Sequence, residues 1–499
     1  MKRRAFISVY DKTGIIDFAK NLVEKFDYEI VAGRSTYEFL KSADIDVINI
    51  GSSANKFLPP EYTALNENVL AGILSNTSDS RELTYLENDA IKSFDLVVVN
   101  LCPVEKLTEN SESIEEFTKK IDIVGCTLLR AGAKNFRNVT VITNKEDYYV
   151  AMNSNEFGRM KLAAKAYNLT SEYDKFVSEQ FSEQSGGKLF KSFNFEKLKE
   201  LDHGENPQQK ASLYKTQNMV DYEVLYGKQL TYNNYLNITE AVNLVSEFYD
   251  VNCVSIVRHT KPCGVALGRS LYEAYTKAFD CDPISSYYGV VGFSQKVDAE
   301  VAKHLNSMSI DVVVAPDYDE KAIEIFEDNH EIKLVKLNTP LREYKRFARD
   351  EIVISPFGAL IQEKNESELD KDMFQVVTRE KPTQEQIEDA VFAWKVVKYA
   401  KTNAVVIARD FKTFAISQGF TNNISAIDNA LNYSCDASKD AVLASDSVIM
   451  AEDSLYAAIQ GRINLIIQPG GSVKDQKLIE ICDKYGISMI TTGIRNYRQ

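Results

Sequence analysis

Short apolar, β-branched runs alternate with amphipathic stretches along the whole chain. Residues 5–9 read as a buried strand, Asp11-Lys12-Thr13-Gly14 as a tight loop, and Ile15, Phe18, Ala19, Leu22 and Val23 recur at helical spacing. Strand, short polar loop and helix form the opening unit of a parallel sheet. The pattern returns at 28–31 with a helix at 37–40, at 47–50, at 96–100 with a helix at 114–120, and at 139–143. This predicts a compact doubly wound α/β domain over residues 1–190 whose ligand sits at the carboxyl ends of the strands. Polar stretches at 153–158 and 182–188 bracket a predicted helical hairpin, with the domain exit between 185 and 200.

Beyond that exit, polar loops at 201–209 and 227–234 precede a helical stretch at 238–248. A strand at 254–257 runs into Arg258-His259-Thr260-Lys261-Pro262-Cys263-Gly264, read as a turn with a helix to follow. Strands at 290–293 and 312–315 and an acidic helix at 318–329 complete one α/β unit. A second begins at 378–383, with a helix at 385–398 and strands at 404–408, 414–417, 441–445, 465–467 and 487–492. The stretches 195–370 and 371–499 thus predict a duplicated α/β fold, although no close sequence repeat marks it.

With 499 residues the chain is too long for one core, and 44% hydrophobic with 26% charged residues is ordinary for a globular protein. The formal charge of −14 argues against broad binding to nucleic acid or an anionic membrane, so an anionic ligand needs a local basic pocket. The N-terminus has no signal-peptide pattern and no apolar run is long enough to span a bilayer. Seven scattered cysteines fit reduced thiols in a cytoplasm, and without a Cys or His cluster no zinc site is expected.

Candidate chemistry centres on His259, one of four histidines and the one with cations close on both sides. Imidazole suits general-base work near neutral pH, and Arg258 offers a permanent charge to an oxyanion or a phosphate. The plainer reading is a histidine satisfied by hydrogen bonds at a strand end. In the first domain, Ser8, Lys12 and Thr13 beside a helix start either hold a phosphate or form a capped, solvated turn. Arg130 and Lys134 share one helix face and either meet a phosphate or lie in water.

Taken together, Asp11-Lys12-Thr13-Gly14, Ile121-Asp122-Ile123, Gly204-Glu205-Asn206-Pro207, His259…Pro262-Cys263-Gly264, Asp282-Pro283…Ser285, Lys401…Asn403 and Gln468-Pro469-Gly470-Gly471-Ser472 resemble, in the same order, the bifunctional purine-biosynthesis family. That family joins aminoimidazole-carboxamide ribonucleotide formyltransferase to inosine-monophosphate cyclohydrolase. The resemblance implies a methylglyoxal-synthase-like first domain, two cytidine-deaminase-like units without zinc, formyl-tetrahydrofolate as co-substrate and a homodimer with the formyltransferase site at the subunit interface. It implies His259 as the base that removes the amine proton, with Arg258 beside it and Asn403 and Asp282 orienting substrate. Arg495, His203, Gly204 and Asn206 would complete that substrate site. Ser8, Lys12, Thr13, Thr36 and Asn100 would hold the nucleotide of the cyclohydrolase, and Asp122 and Lys134 would serve ring closure.

The departures from the family pattern fall on the chemistry. Arg258 stands where the family has Lys, Asp202-His203 where it has Arg-Tyr, and Asn496 where it has His. In the first domain Gly33-Arg34-Ser35 replaces a Thr-Gly-Gly loop, Cys102 replaces Tyr, and residues 63–72 lack every Lys and His of a basic stretch. These changes predict a weak or absent cyclohydrolase. Three readings follow: an active bifunctional enzyme, a homologue with a changed substrate, or a silent paralogue that binds nucleotide or folate or partners an active enzyme.

Overall fold

The computed structural model describes residues 2–50, 59, 62–108, 113–187, 189–191, 193–216, 218–347, 350–369 and 374–499. The chain divides into two compact units, Met1–Asn194 and Phe195–Gln499.

In the first unit, among the described residues, five parallel strands lie in the order Ile48–Asn49, Tyr28–Ala32, Arg3–Val9, Leu96–Asn100 and Thr140–Ile142. The apolar runs become strands because both sheet faces are covered: Ala5, Phe6, Ile7, Val97, Val98 and Val99 are all but inaccessible. Strand order reverses between Arg3–Val9 and Leu96–Asn100, which opens a crevice beyond their carboxyl ends. The predicted helical hairpin is instead one unbroken helix, Glu156–Gln184. Its polar lead-in supplies a cap, Asn155 accepting from Gly158 N, and no helix breaker interrupts the face that buries Leu162, Ala163, Ala166 and Tyr173.

In the second unit a twelve-stranded sheet has an internal symmetry, again among the described residues. One half is the hairpin Cys253–Arg258 and Lys261–Leu267, then the parallel strands Val290–Phe293, Val312–Ala315 and Lys333–Leu337, then an antiparallel edge, Tyr222–Tyr226. The other half repeats it with the hairpin Val405–Arg409 and Lys412–Ser417, the strands Val442–Ser445, Leu465–Gln468 and Ser488–Thr491, and the edge Gln375–Val376. The two hairpins meet through Lys261–Leu267 and Lys412–Ser417, so the duplicated fold is one continuous sheet. The helices Tyr232–Ser246 and Gln384–Val397 share a core on one face, and two separate helical cores cover the other.

Lys261–Leu267 lies where the sequence reading passed directly to a helix. Pro262 and Gly264 mask the strand, and the ladder accommodates them through a register shift between these two residues. The helix expected at 238–248 starts earlier, at Tyr232, fixed by a capping box between Thr231 and Asn234.

Candidate functional site

The hairpin Cys253–Arg258/Lys261–Leu267 turns over His259 and Thr260 alone. Arg258 pairs with Lys261 across the turn, and His259 and Thr260 have φ of 52° and 61°. Positive φ at both central residues matches the twist of the strands but normally selects Asn-Gly. A histidine and a β-branched threonine are strained there and persist because the surroundings fix them. Thr260 N donates to Asn237 Oδ1 at 2.7 Å, and a Cβ on Gly264 would come within 1.9 Å of Ala278 O, so the strand lies directly on the helix Leu271–Phe279.

His259 is exposed at the lip of a cavity of about 460 Å³ formed where the two halves of the sheet meet. Arg258, Lys261, Asp282, Gln418 and Tyr433 also line it. Asp282 caps the short helix Pro283–Ser286 through Ser285 N at 2.9 Å. Partial burial and the nearby Asp282 carboxylate push the half-exposed Tyr433 phenol up to about 12, so both groups face the cavity with the phenol protonated at neutral pH. Burial likewise raises Cys263 and Cys281, in the same wall, to about 12, which keeps both as thiols. The arrangement offers a solvent-reachable imidazole, two cations for a developing oxyanion and one oriented carboxylate.

Of the other residues expected here, Asn403 sits just behind the lining. Its Nδ2 donates to Phe420 O at 3.0 Å, and its Oδ1 accepts from Ser447 Oγ at 3.0 Å, which in turn accepts from Asn423 Nδ2 at 2.7 Å. His203, Gly204 and Asn206 lie in the loop between Glu196–Leu201 and Ala211–Lys215, where His203 Nδ1 meets Gly204 O at 2.8 Å and Asn206 Nδ2 donates to Gln209 Oε1 at 2.9 Å. None of these three lines the cavity, nor does Arg495, which is exposed beside the Tyr497 ring. Sequence reasoning missed Gln418, which follows the strand Lys412–Ser417, and Asn429 and Tyr433 on the helix Asn423–Ser434, all more than 150 residues along the chain from His259.

The crevice of the first unit is a larger cavity, about 1200 Å³, lined by Ser8, Lys12, Thr36, Asn100 and Asp122. Asn100 fixes its floor: Oδ1 accepts from Tyr10 N at 2.6 Å and Asp11 N at 3.0 Å, while Nδ2 donates to Asp11 O at 2.9 Å. Thr36 Oγ1 accepts from Val9 N at 3.0 Å, and Thr13 Oγ1 donates to Asp11 Oδ1 at 2.6 Å, outside the lining. Asp122 caps the helix Ile123–Lys134, accepting from Gly125 N at 2.7 Å, and burial raises its carboxyl above the ordinary range. A raised, cavity-facing carboxyl is suited to proton transfer.

Lys134 ends that same helix, roughly 18 Å from Asp122 at the usual rise per residue, and it does not line the cavity. Arg130 is paired with Asp174 and donates to Thr170 Oγ1 at 3.3 Å. The structure therefore does not bring Asp122 and Lys134 together. Four lining cations stood outside the expected set: Arg34, Lys106, Lys119 and Lys120. Thr63 and Ala64 line the wall where the resemblance leads one to expect a basic stretch. Among the described residues no group of three or more His, Cys, Asp or Glu could hold a metal ion, and no helix is long and apolar enough to cross a membrane.

The AICARFT/IMPCHase bienzyme family matches residues 132–433, and the MGS-like domain matches residues 14–127. Relatives named bifunctional purine biosynthesis protein PurH are similar over the full length of both chains. Those of Caldicellulosiruptor saccharolyticus and Caldicellulosiruptor bescii are 39% identical over 518 residues and 40% identical over 520, each covering 100% of either chain. That of Clostridium beijerinckii is 38% identical over 516 residues with the same coverage.

Proposed function

The chain belongs to the AICARFT/IMPCHase bienzyme family, and from that premise we propose how its two cavities divide the chemistry. As a member it is a bifunctional purine-biosynthesis enzyme, joining formyl transfer onto aminoimidazole-carboxamide ribonucleotide to closure of the product to inosine monophosphate.

Formyl transfer belongs to the cavity at His259, with formyl-tetrahydrofolate as donor. The aromatic amine is a weak nucleophile and must lose a proton as its nitrogen attacks the formyl carbon. His259 takes that proton, while Arg258 and Lys261 stabilise the oxyanion of the tetrahedral intermediate. When the bond from the formyl carbon to the folate nitrogen breaks, the imidazolium returns its proton to that nitrogen. Asp282, held by Ser285 N, and Asn403, held by Phe420 and Ser447, are positioning residues. The observation that carries this reading is an exposed imidazole, flanked by two cations, on a strained turn at a cavity. Its test is turnover with the ribonucleotide and formyl-tetrahydrofolate. Loss of most turnover in His259→Gln, with ribonucleotide affinity kept, supports it; undiminished turnover defeats it.

Ring closure belongs to the first unit, with Asp122 as its acid-base group. The missing phenol at Cys102 and the neutral wall at Thr63 and Ala64 make it the slower step. Turnover of formylated ribonucleotide faster than formyl transfer would refute that ordering.

The acting form is a homodimer in the cytoplasm. His203, Gly204, Asn206 and Arg495 lie outside their own chain's cavity, which suits a substrate site shared between chains. Among the described residues the hairpin Asp350–Ser355/Gly358–Glu363 forms a two-stranded sheet of its own and exposes Val353, Ile354, Phe357 and Leu360. An isolated two-stranded hairpin is marginal in water, so a partner surface is expected to cover it. Ile354→Ser with Phe357→Ser should give monomers in sedimentation; unchanged dimers exclude this hairpin from the contact.

A further inference from the structure

The seam between the two half-sheets is closed at one end and open at the other. Among the described residues the strands Lys261–Leu267 and Lys412–Ser417 are bridged at Ala266 and Lys412. Beside that bridge Thr413 Oγ1 accepts from Val265 N and donates to Val265 O, both at 3.0 Å. Toward His259, Pro262 and Cys263 of one strand and Ala415, Ile416 and Ser417 of the other line the cavity, so the ligand space lies between the two strands. Gln418 crosses this opening: its Nε2 donates to Pro262 O at 3.1 Å, and its Oε1 accepts from Lys401 N at 3.2 Å.

Each of these contacts adjoins a group used in formyl transfer. Pro262 lies on the strand that leaves the His259 turn, and Lys401 shortly precedes Asn403. The residues after Gln418 hold the same loop, Gly419 N donating to Lys401 O at 2.7 Å and Asn403 N to Phe420 O at 2.9 Å. The helix Tyr232–Ser246 anchors both flanks from behind. Its Asn237 accepts from Thr260 N at 2.7 Å, and its Glu240 receives two hydrogen bonds from the Arg498 guanidinium. Arg498 O in turn accepts from Thr402 N at 2.9 Å. The contacts form a closed circuit, and Gln418 is the link that spans the seam at the cavity. A carboxamide donates and accepts at once, so neither a carboxylate nor an apolar side chain makes both bonds, and asparagine is one methylene too short.

We propose that Gln418 is a positioning residue for formyl transfer, holding the His259 turn at the distance from the Asn403 loop at which the imidazole meets the substrate amine. The inference rests on the reading of His259 as the base and adds the residue that fixes its place. A small displacement of reacting groups, about 1 Å, can cost about 10²-fold in rate, so one such strut has a measurable effect.

The test is steady-state turnover of the full chain with the ribonucleotide and formyl-tetrahydrofolate. The proteins are wild type, Gln418→Leu, Gln418→Asn, Gln418→Glu, His259→Gln and the double variant His259→Gln/Gln418→Leu. Gln418 is half-buried, so thermal midpoints within about 4 °C of wild type are the folding control. Each Gln418 variant should lower kcat about 10–30-fold with KM for the ribonucleotide within about twofold of wild type, the split expected when only the reacting geometry is disturbed. In the His259→Gln background the Gln418→Leu change should cost less than about threefold, because the group it positions is already gone. Wild-type kcat in Gln418→Asn or Gln418→Glu overturns the proposal, since the span is then not needed. A raised KM at unchanged kcat also overturns it, as does a further loss of about tenfold or more in the double variant. Those results leave His259 standing as the base, whereas undiminished turnover in His259→Gln overturns both.

Discussion

The turn at His259 sets stability against activity, and a pair of substitutions separates the two. An L-residue in the left-handed region costs about 1–2 kcal/mol, and Asn relieves much of that through its own backbone contacts. His259→Asn is therefore expected to stabilise the second unit by about 0.5–1 kcal/mol, near 1–3 °C in midpoint for a unit of this size. It should also lower formyl transfer by about 10²–10⁴-fold, the usual worth of a positioned acid-base group. The sheet supplies its own control. Arg409-Asp410-Phe411-Lys412 makes the corresponding turn in the other half, with φ of 54° and 53° at Asp410 and Phe411. Asp410→Asn should leave turnover unchanged, and its midpoint should move by less than about 1 °C because Asp already tolerates this conformation. The assays are thermal unfolding by circular dichroism and spectrophotometric formyl transfer. A lower midpoint for His259→Asn would show that the imidazole stabilises the turn, and retained turnover would remove it from the chemistry.

Three further perturbations probe the supports of the two sites. Gly264→Ala puts a methyl 1.9 Å from Ala278 O, so about 3 kcal/mol of stability and a matching fall in soluble yield are expected; a wild-type midpoint would contradict the contact. Asn100→Ala leaves Tyr10 N and Asp11 N without their shared acceptor, which should cost about 1–2 kcal/mol and weaken nucleotide binding in the first unit; unaltered binding would show the loop holds itself. Glu247 is buried against Lys398 at 3.4 Å, Lys345 at 2.9 Å and the Tyr399 hydroxyl at 2.6 Å. Burial works to raise its carboxyl, but the two lysines and the phenol bring it below the ordinary value, whereas burial and the neighbouring Lys345 leave Lys398 lowered despite Glu247. A depressed carboxyl stabilises above the unfolded value, about 4.3, and that contribution is lost as pH falls through the folded value. Glu247→Gln should flatten the acid limb of a stability–pH curve, and Lys398→Met should cost about 3 kcal/mol at neutral pH.

The sequence exposes whatever depends on local pattern. Val97, Val98 and Val99 announce a strand in any context, and the recurrence of such runs beside amphipathic stretches is enough for the doubly wound unit and for a duplication. Pro262 and Gly264 hide a strand because local rules treat them as breakers, while the partner that tolerates them, Lys412–Ser417, lies about 150 residues away. The polar stretches that bracket Glu156–Gln184 suggest turns, although one of their residues, Asn155, is the cap of a single helix whose length only its packing reveals. The site divides in the same way. His259 is legible from its chemistry and neighbours, but Tyr433 and Asn429 are an ordinary i, i+4 pair on a helix until the two half-sheets join. Arg34 and Lys119 resemble solvated charges until the crevice between reversed strands gathers them.

The two equivalent turns also bear on why the proposed base lies on only one of them. Strain is common to both, so strain alone does not make a site. In the half without the histidine Asp389 accepts from both Asp410 N at 2.9 Å and Phe411 N at 2.8 Å, and the Phe411 ring packs against the shared core. A carboxylate under the turn offsets cationic charge at the tip, and the aromatic ring beside it is given over to packing. In the other half the support comes from Asn237, a neutral amide that fixes Thr260 N without adding charge. On the proposed reading Arg258 and Lys261 therefore keep their positive field for an oxyanion. On the proposed reading the same backbone device serves packing in one half and proton transfer in the other, and the polar group beneath each turn is what separates them.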